Sequence, residues 1–281
     1  MLPAHPDGDR KRAEGGTGTL PTMIRVGVFG AGGRMGATVC DAVRGADGLE
    51  LVAAVDPHRA GATVEGTDLT IAAEPGALVD AGAEVVVDFT VLTAARENLR
   101  WCAAHDVHAV VGTTGFSADD LDEFAELFAH TRANALIAPN FAIGAVLMMR
   151  FAELAAPWFD TAEIIELHHD NKIDAPSGTA MATARRMTEA SEEWGTDPTT
   201  TVVADGARGG LVGDAIRVHS VRMRGVIASQ EVLLGTTGQT LAIRHDTFDR
   251  SSFMPGVLLG VRRIAELPDG LTLGLDPLLD Q

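Results

Sequence analysis

The sequence predicts an α/β protein in two parts: a doubly wound parallel sheet, then an α+β domain with a mixed or antiparallel sheet. Three observations carry this. From Met23 to Ala138, short apolar runs rich in β-branched residues alternate with helix-period segments, the pattern of βαβ units. The first run leads straight into the glycine-rich stretch Gly30-Ala-Gly-Gly-Arg-Met-Gly36 and then into a helix. After Phe141 the pattern becomes consecutive alternating segments with short turns, as antiparallel neighbours read.

The elements come in this order. Met23–Phe29 is the first strand and Met35–Val43 the helix after the glycines. Leu51–Val55 is the second strand, closed by Asp56, and Glu84–Val87 the third, followed by Asp88-Phe-Thr90. Leu92–Ala104 has helical spacing. His108–Val111 is a strand that ends in Gly112-Thr-Thr-Gly115. Ser117–His130 is a helix with Ser117 as N-cap and Asp120 three residues on, a capping-box variant. Ala135–Ala138 ends in Pro-Asn-Phe. Strands that are apolar throughout fit a sheet covered on both faces. A long helix over Ile143–Phe159 then leads into a segment at Ala162–Leu167, a loop, and a helix from Ser177 to Glu192. Three strands, Ala215–Arg222, Ala228–Leu234 and Thr240–His245, precede a last helix over Ser251–Leu267.

Composition bounds the function. At 281 residues with 46% hydrophobic residues, the chain can build sizeable cores, and its apolar runs fall short of a membrane span. A formal net charge of −17 argues against nucleic acid or an anionic membrane as the main partner. An acidic chain that binds an anion must gather its basic groups locally. Cys40 and Cys102 read as buried free thiols, with neither the count nor the spacing of a disulfide or metal site. Residues 1–22 are rich in Gly, Pro and charge and lack an apolar core segment. They are expected to be a disordered tail without a signal peptide, with Met23 as a second possible start, in a cytoplasmic protein.

The glycine stretch has the spacing GxxGxxG with Gly32 extra. It misses the GxGxxG fingerprint because the last position is Met35. The physics is the same: glycine permits a tight turn and close approach of backbone to a pyrophosphate, and the helix start offers free N–H groups. Gly36 is assigned to helix–strand packing. A glycine cluster alone could simply be a turn; in strand-loop-helix context it predicts a Rossmann-like dinucleotide site. Asp56 stands where an acid accepts hydrogen bonds from an adenosine ribose, which favours NADH. Arg34 and Arg59 nearby could offset the repulsion of a 2′-phosphate, so cofactor preference stays open. Thr113, Thr114 and Asn140 at strand ends suit a nicotinamide ribose or carboxamide.

The stretch Glu166-Leu-His-His-Asp-Asn-Lys-Ile-Asp-Ala-Pro-Ser-Gly-Thr179 holds two adjacent histidines and a lysine. The chain has two lysines, Lys11 in the tail and Lys172 here. Adjacent strand residues point to opposite faces, so His168 and His169 are not expected to chelate one metal, and no metal site is predicted. Histidine suits acid–base chemistry near neutral pH, and lysine, unlike arginine, can give up a proton. Pro176 and Ser177 start a helix whose Gly178 and Thr179 N–H groups, with the Thr179 hydroxyl, face an anion. A lysine beside a helix start makes a carboxylate clamp.

These fourteen residues resemble the signature of the dihydrodipicolinate reductases. The stretches GAGGRMG, VVGTTGF and APNFAIGAVL resemble that family's cofactor motifs, in the right order, and RHDTFDRSSFMPGVLLGVRRIAEL resembles its actinobacterial branch. The likeness runs from about Ile24 to Leu279. It implies reduction of 4-hydroxy-tetrahydrodipicolinate to tetrahydrodipicolinate in diaminopimelate and lysine synthesis, with NADH and/or NADPH. It implies that His168 is the acid/base group, Lys172 the proton donor, and His169, Gly178 and Thr179 contacts to the substrate carboxylates. Gly30, Ala31, Gly32, Gly33, Arg34, Met35, Asp56, Gly112, Thr113, Thr114, Ala138, Pro139, Asn140 and Phe141 are implied to bind the cofactor. It also implies a homotetramer assembled through the second domain. The expected division is a tail at 1–22, a dinucleotide domain at 23–141, a substrate and tetramerisation domain at 142–250, and a C-terminal segment at 251–281 returning to the first domain. The alternatives are another two-domain amino-acid or sugar dehydrogenase, or a non-catalytic dinucleotide sensor. The intact histidine motif argues against both.

Overall fold

The computed structural model describes residues 23–280 except Asp214 and Asp269. The expectation for residues 1–22 lies outside the described residues. Six strands form the first sheet: β1 (Ile24–Phe29), β2 (Leu49–Val55), β3 (Val85–Asp88), β4 (His108–Val111), β5 (Ala135–Ile137) and β11 (Leu271–Leu273). Their order is β11-β5-β4-β3-β1-β2 and every pair is parallel. Its helices are α1 (Arg34–Arg44), the short α2 (Gly76–Asp80), α3 (Leu92–Ala104), α4 (Ala118–Ala129) and α7 (Met254–Arg263). The strands are apolar on both sides because both sides are covered. Val26, Val28, Val87 and Val110 pack with Val39 and Val43 of α1 and Val257 and Val261 of α7. Phe29, Val86 and Val111 pack with Leu99 and Cys102 of α3 and Phe124 and Phe128 of α4. Cys40 and Cys102 are buried free thiols, and burial pushes Cys40 up to about 12. The α4 start is a full capping box between Ser117 and Asp120, which also holds Arg96 through two hydrogen bonds of 2.7 Å.

The second sheet has the order β10-β9-β6-β8-β7, with β6 (Thr161–His168), β7 (Gly210–Val212), β8 (Ile216–Arg222), β9 (Ala228–Thr236) and β10 (Gln239–Thr247). It is mixed: β6 and β8 run parallel and the other pairs antiparallel. Helices α5 (Ile143–Ala155) and α6 (Gly178–Ala190) cover its inner face. Ile164, Val218, Val232 and Leu234 face inward onto Ala180, Ala184 and Met187, and this core is continuous with one face of the first sheet.

Two long helices expected from the sequence are shorter in the fold. The helix from Ile143 stops at Ala155, and Ala156–Trp158 tightens into a 3₁₀ turn around Pro157, which cannot donate to a helical ladder. The segment Ser251–Leu267 divides into a 3₁₀ turn (Arg250–Phe253), α7, and a second 3₁₀ turn (Ile264–Glu266), with Pro255 in the first turn of α7. Helix α7 packs on α1, β3 and β4. Buried Asn134 fixes the chain between α7 and β11. Its Nδ2 donates to the carbonyls of Ile264 (3.0 Å) and Leu267 (3.1 Å), and its Oδ1 accepts from Gly270 N–H (3.1 Å). Strand β11 then joins β5, and α8 (Asp276–Leu279) reaches the second sheet's helices, where Arg186 of α6 forks onto Asp276 at 2.8 and 3.0 Å. No helix of the described residues is long and apolar enough to cross a membrane.

Candidate active site

The carboxyl ends of the parallel strands gather most of the predicted cofactor residues. Gly30 turns the chain out of β1 at φ +67, a conformation suited to glycine, and its N–H donates to Val55 O at 2.8 Å. Gly36 faces this turn from α1: a Cβ there would lie 2.0 Å from Gly30 O, so glycine sets the closeness of helix to strand. Gly33 is the N-cap of α1 and no side chain caps the helix, which leaves its start free to face an anion. Asp56, immediately after β2, is buried; its carboxylate accepts from Gly32 N–H and His58 N–H, both at 3.0 Å. The stem of Arg59 lies over Gly32. Among the described residues neither Arg34 nor Arg59 forms a salt bridge. Ala31 is buried and Met35 half-buried.

A cavity of about 620 Å³ opens beside this loop, lined by Gly30, Gly33, Asp56, Thr90 and Trp101 among others. It sits between β1 and β3, where strand order reverses, the usual place for a dinucleotide. The turn after β3 is pinned by buried Asp88, which accepts from Thr90 N–H (2.7 Å), Thr90 Oγ1 (2.6 Å) and Asn98 Nδ2 (2.7 Å). Burial pushes the Asp88 carboxyl above its usual range, against those hydrogen bonds. The pinned turn lays the Phe89 ring on Gly112, where a Cβ would meet it at 2.0 Å, and sets it 5.7 Å from the Phe141 ring. Thr113 is buried and donates to Thr90 O at 2.9 Å, while Thr114 is exposed. Ala138 and Phe141 are buried; Pro139 and Asn140 reach a second cavity.

That second cavity, of about 200 Å³, lies between the two sheets. Pro139 and Asn140 come from the first, His168, Gln230 and His245 from the second, and Ser177 and Thr179 from the start of α6. Asn140 Nδ2 donates to Thr179 Oγ1 at 3.4 Å. On β6 the residues alternate, so Ile164, Glu166 and His168 share the inner face. Glu166 is fully buried and its Oε2 stands 2.5 Å from His168 Nδ1. Arg222 forks onto the same carboxylate at 2.8 and 2.9 Å, and Ser177 N–H donates to it at 3.2 Å. Burial alone would raise the Glu166 carboxyl; hydrogen bonds from His168, Arg222 and Ser220 outweigh it and hold it at about 2. Burial lowers His245 below its usual range. Gln230 Nε2 donates to Thr183 Oγ1 at 2.8 Å, and its Oε1 is buried without a hydrogen-bond partner.

Of the remaining motif residues, Ser177 and Thr179 line this cavity, while His169, Lys172 and Gly178 are not part of its lining. His169 follows the end of β6 and is exposed, so the two histidines do part company. Lys172 sits in the next loop and donates to both oxygens of Asp174, at 2.7 and 2.8 Å, an interaction that pulls Asp174 below the usual carboxylate range. Ser177 caps α6 by accepting from Ala180 N–H at 3.2 Å. Gly178 is exposed, and a Cβ there would meet nothing within 4 Å. The open side of the helix start is therefore the side available to an anion.

Two family models match the chain: "Dihydrodipicolinate reductase, N-terminus" over residues 24–141 and "Dihydrodipicolinate reductase, C-terminus" over residues 144–279. The chain belongs to the dihydrodipicolinate reductase family. A 4-hydroxy-tetrahydrodipicolinate reductase of Nocardia farcinica is 55% identical, over 92% of this chain and 99% of that one. One of Mycolicibacterium vanbaalenii is 52% identical, with 92% and 99% covered. Among solved structures, a dipicolinate-bound dihydrodipicolinate reductase from Paenisporosarcina sp. TG-14 superposes with a TM-score of 0.82 at 37% identity, covering 91% of this chain and 99% of that one. An amine dehydrogenase from Mycobacterium smegmatis superposes at a TM-score of 0.63 with 15% identity, a likeness of fold alone.

Sequence reasoning missed four residues of this candidate site: Glu166 and Arg222, bonded in series to His168, and Gln230 and His245 of the cavity lining. Glu166 carried a signal: it is two residues before His168, so a strand puts both on one face. Arg222 carried none, because only the register of β6 with β8 sets it opposite His168.

Proposed function

We propose that this chain is a 4-hydroxy-tetrahydrodipicolinate reductase, which uses NADH or NADPH to make tetrahydrodipicolinate for diaminopimelate and lysine synthesis. The observation that carries the reading is the intact motif Glu166–Thr179, of which His168, Ser177 and Thr179 line a cavity into which the first sheet sends Asn140. The substrate is a small dianion, and this acidic chain offers it Lys172 and the open start of α6. The loop Gly30–Met35, Asp56 and the strand-end residues Gly112–Thr114 and Ala138–Phe141 fit a nicotinamide dinucleotide. The fit rests on the uncapped start of α1, the closeness that glycine alone allows at Gly36, and the cavity at the strand-order reversal.

The bound cofactor supplies a hydride. Exchanging the substrate's hydroxyl for that hydride releases water and so consumes a proton, which this chain must deliver. His168 gives and takes a proton at the ring nitrogen that Glu166 does not hold. Lys172 contributes charge beside the substrate carboxylates and is the second proton source. His169, Gly178 and Thr179 hold the carboxylates. Use of either cofactor is supported by the Asp56 carboxylate already engaged by two loop N–H groups and by the charges of Arg34 and Arg59, which no salt bridge among the described residues takes up.

The reading divides the chain into a dinucleotide domain at 23–141, a substrate and tetramerisation domain at 142–250, and a returning segment at 251–281. Homotetramer assembly through the second domain is supported by β10, an edge strand of nine residues that is largely exposed. A cytoplasmic location goes with the cofactor requirement. The test is oxidation of NADH and of NADPH, side by side, with freshly condensed pyruvate and aspartate semialdehyde. Turnover with at least one is expected; none with either would sink the reading. Light scattering of the eluted protein tests the tetramer.

A further inference from the structure

We infer that Glu166 is the positioning residue of the proton-transferring histidine: it assigns the exchangeable proton of His168 to Nε2, the nitrogen that it does not hold. This rests on the reading of His168 as the acid/base group. The two residues stand at i and i+2 on one face of β6, so the strand itself brings carboxylate and ring together without a loop. Glu166 Oε2 meets His168 Nδ1 at 2.5 Å and Arg222 Nη1 at 2.9 Å, while Oε1 takes Arg222 Nη2 at 2.8 Å and Ser177 N–H at 3.2 Å. A carboxylate with this set of donors is ionised and only accepts. Nδ1 must therefore carry hydrogen in both charge states of the ring. In the neutral ring Nε2 is the bare nitrogen, a base; in the charged ring Nε2–H is the acid. The proton that comes and goes is the one on the nitrogen that Glu166 does not hold, in a ring that lines the cavity with Asn140 and Thr179.

The same carboxylate ties this ring to the rest of the site. Through Ser177 N–H it holds the start of α6, the carboxylate clamp. Through Arg222, whose Nη2 donates to Asp174 O at 2.7 Å, it holds the loop that carries Lys172. Arg222 offsets the buried charge of Glu166, yet its own Nε is buried without a partner. A pair selected for stability alone would not leave a donor stranded, since such a group costs free energy. An ion pair that only braced the fold would also be indifferent to which ring nitrogen carries the proton.

The experiment is nitrogen–proton NMR of the wild-type protein labelled at histidine, with the His168 signals assigned by their loss in His168→Gln. The expected result is a neutral ring protonated at Nδ1 and hydrogen-bonded there; a ring protonated at Nε2 overturns the inference. In parallel, Glu166→Gln turns an acceptor into a donor facing Nδ1, the inversion that disables the acid of a catalytic triad. It should cut kcat on the order of 10²-fold while the NADH dissociation constant stays within about twofold, and Glu166→Asp should recover part of the loss. A Glu166→Gln kcat within about threefold of wild type overturns the inference. If that variant does not fold, the wild-type spectrum still decides. Full kcat in His168→Gln would instead defeat the acid/base reading of His168, a different outcome from a wrong tautomer.

Discussion

Asn140, in the loop that follows β5, donates to the Thr179 hydroxyl in the first turn of α6, across 3.4 Å. A residue assigned to the cofactor thus touches a residue assigned to the substrate. On the proposed roles the two reactants meet at this contact, and Thr179 is the side chain to probe first.

Thr179→Val removes the hydroxyl and keeps the shape. A hydrogen bond to a charged group contributes about 1.5–3 kcal/mol, so kcat/KM for the dicarboxylate should fall roughly 10- to 100-fold. The KM for NADH should move little. Steady-state kinetics with each reactant varied in turn checks both.

His168→Gln should lower kcat by about 10²- to 10⁴-fold, the usual worth of a positioned acid or base. Fluorescence titration should find NADH binding unchanged, because the ring lies in the cavity between the sheets rather than at the glycine loop. Equal losses in both would move His168 to the cofactor.

Lys172→Arg keeps the charge and removes a transferable proton. Lys172 is held by Asp174 in a fork, so the loop should survive the exchange. The expected outcome is a kcat lowered at least about tenfold with a substrate KM within a few-fold. An unchanged kcat would leave proton delivery to His168 and limit Lys172 to holding the anion.

Gly36→Ala tests the nucleotide loop through stability. The added methyl would lie 2.0 Å from a backbone carbonyl, which cannot swing away. Overpacking of this kind costs about 1–3 kcal/mol, and relief requires moving the Gly30 turn. Thermal unfolding should show a lower Tm, and NADH affinity should fall with it.

The acid limb of stability should follow Glu166. Its carboxyl is held at about 2 in the folded protein, below the ordinary 4.5. A depressed carboxyl contributes stability that is present above the ordinary value and lost as pH falls through 4.5 toward 2. Urea unfolding at pH 6 and at about pH 3 should show a steeper loss in wild type than in Glu166→Gln. Parallel losses would mean that other carboxylates govern the acid limb.

Much of the fold was legible in local sequence. The parallel strands announced themselves as apolar runs, and the glycine cluster, capping box and change of pattern after Phe141 each have a short-range cause. What was not legible is non-local. Strands β7 and β11 have three residues each and exist because a partner strand is there to accept them. In the site, the separation of the two histidines was legible, although His169 lies just past the end of β6 rather than on its opposite face. The partnership of Glu166 with Arg222 spans 56 residues and depends on register, which no short window contains.

Strand β11 has a consequence for how the chain is made. It pairs with β5, so that Leu271 lies against Ala135 and Thr272 against Leu136. A growing chain emerges from its N-terminus, so the first sheet leaves the ribosome one strand short. It waits with β5 as a bare edge while the whole second sheet is synthesised, and is completed only by a strand that appears after it. An unpaired parallel edge is prone to wrong partners during such a wait. The half of the molecule that looks finished earliest in the sequence is thus the last to close.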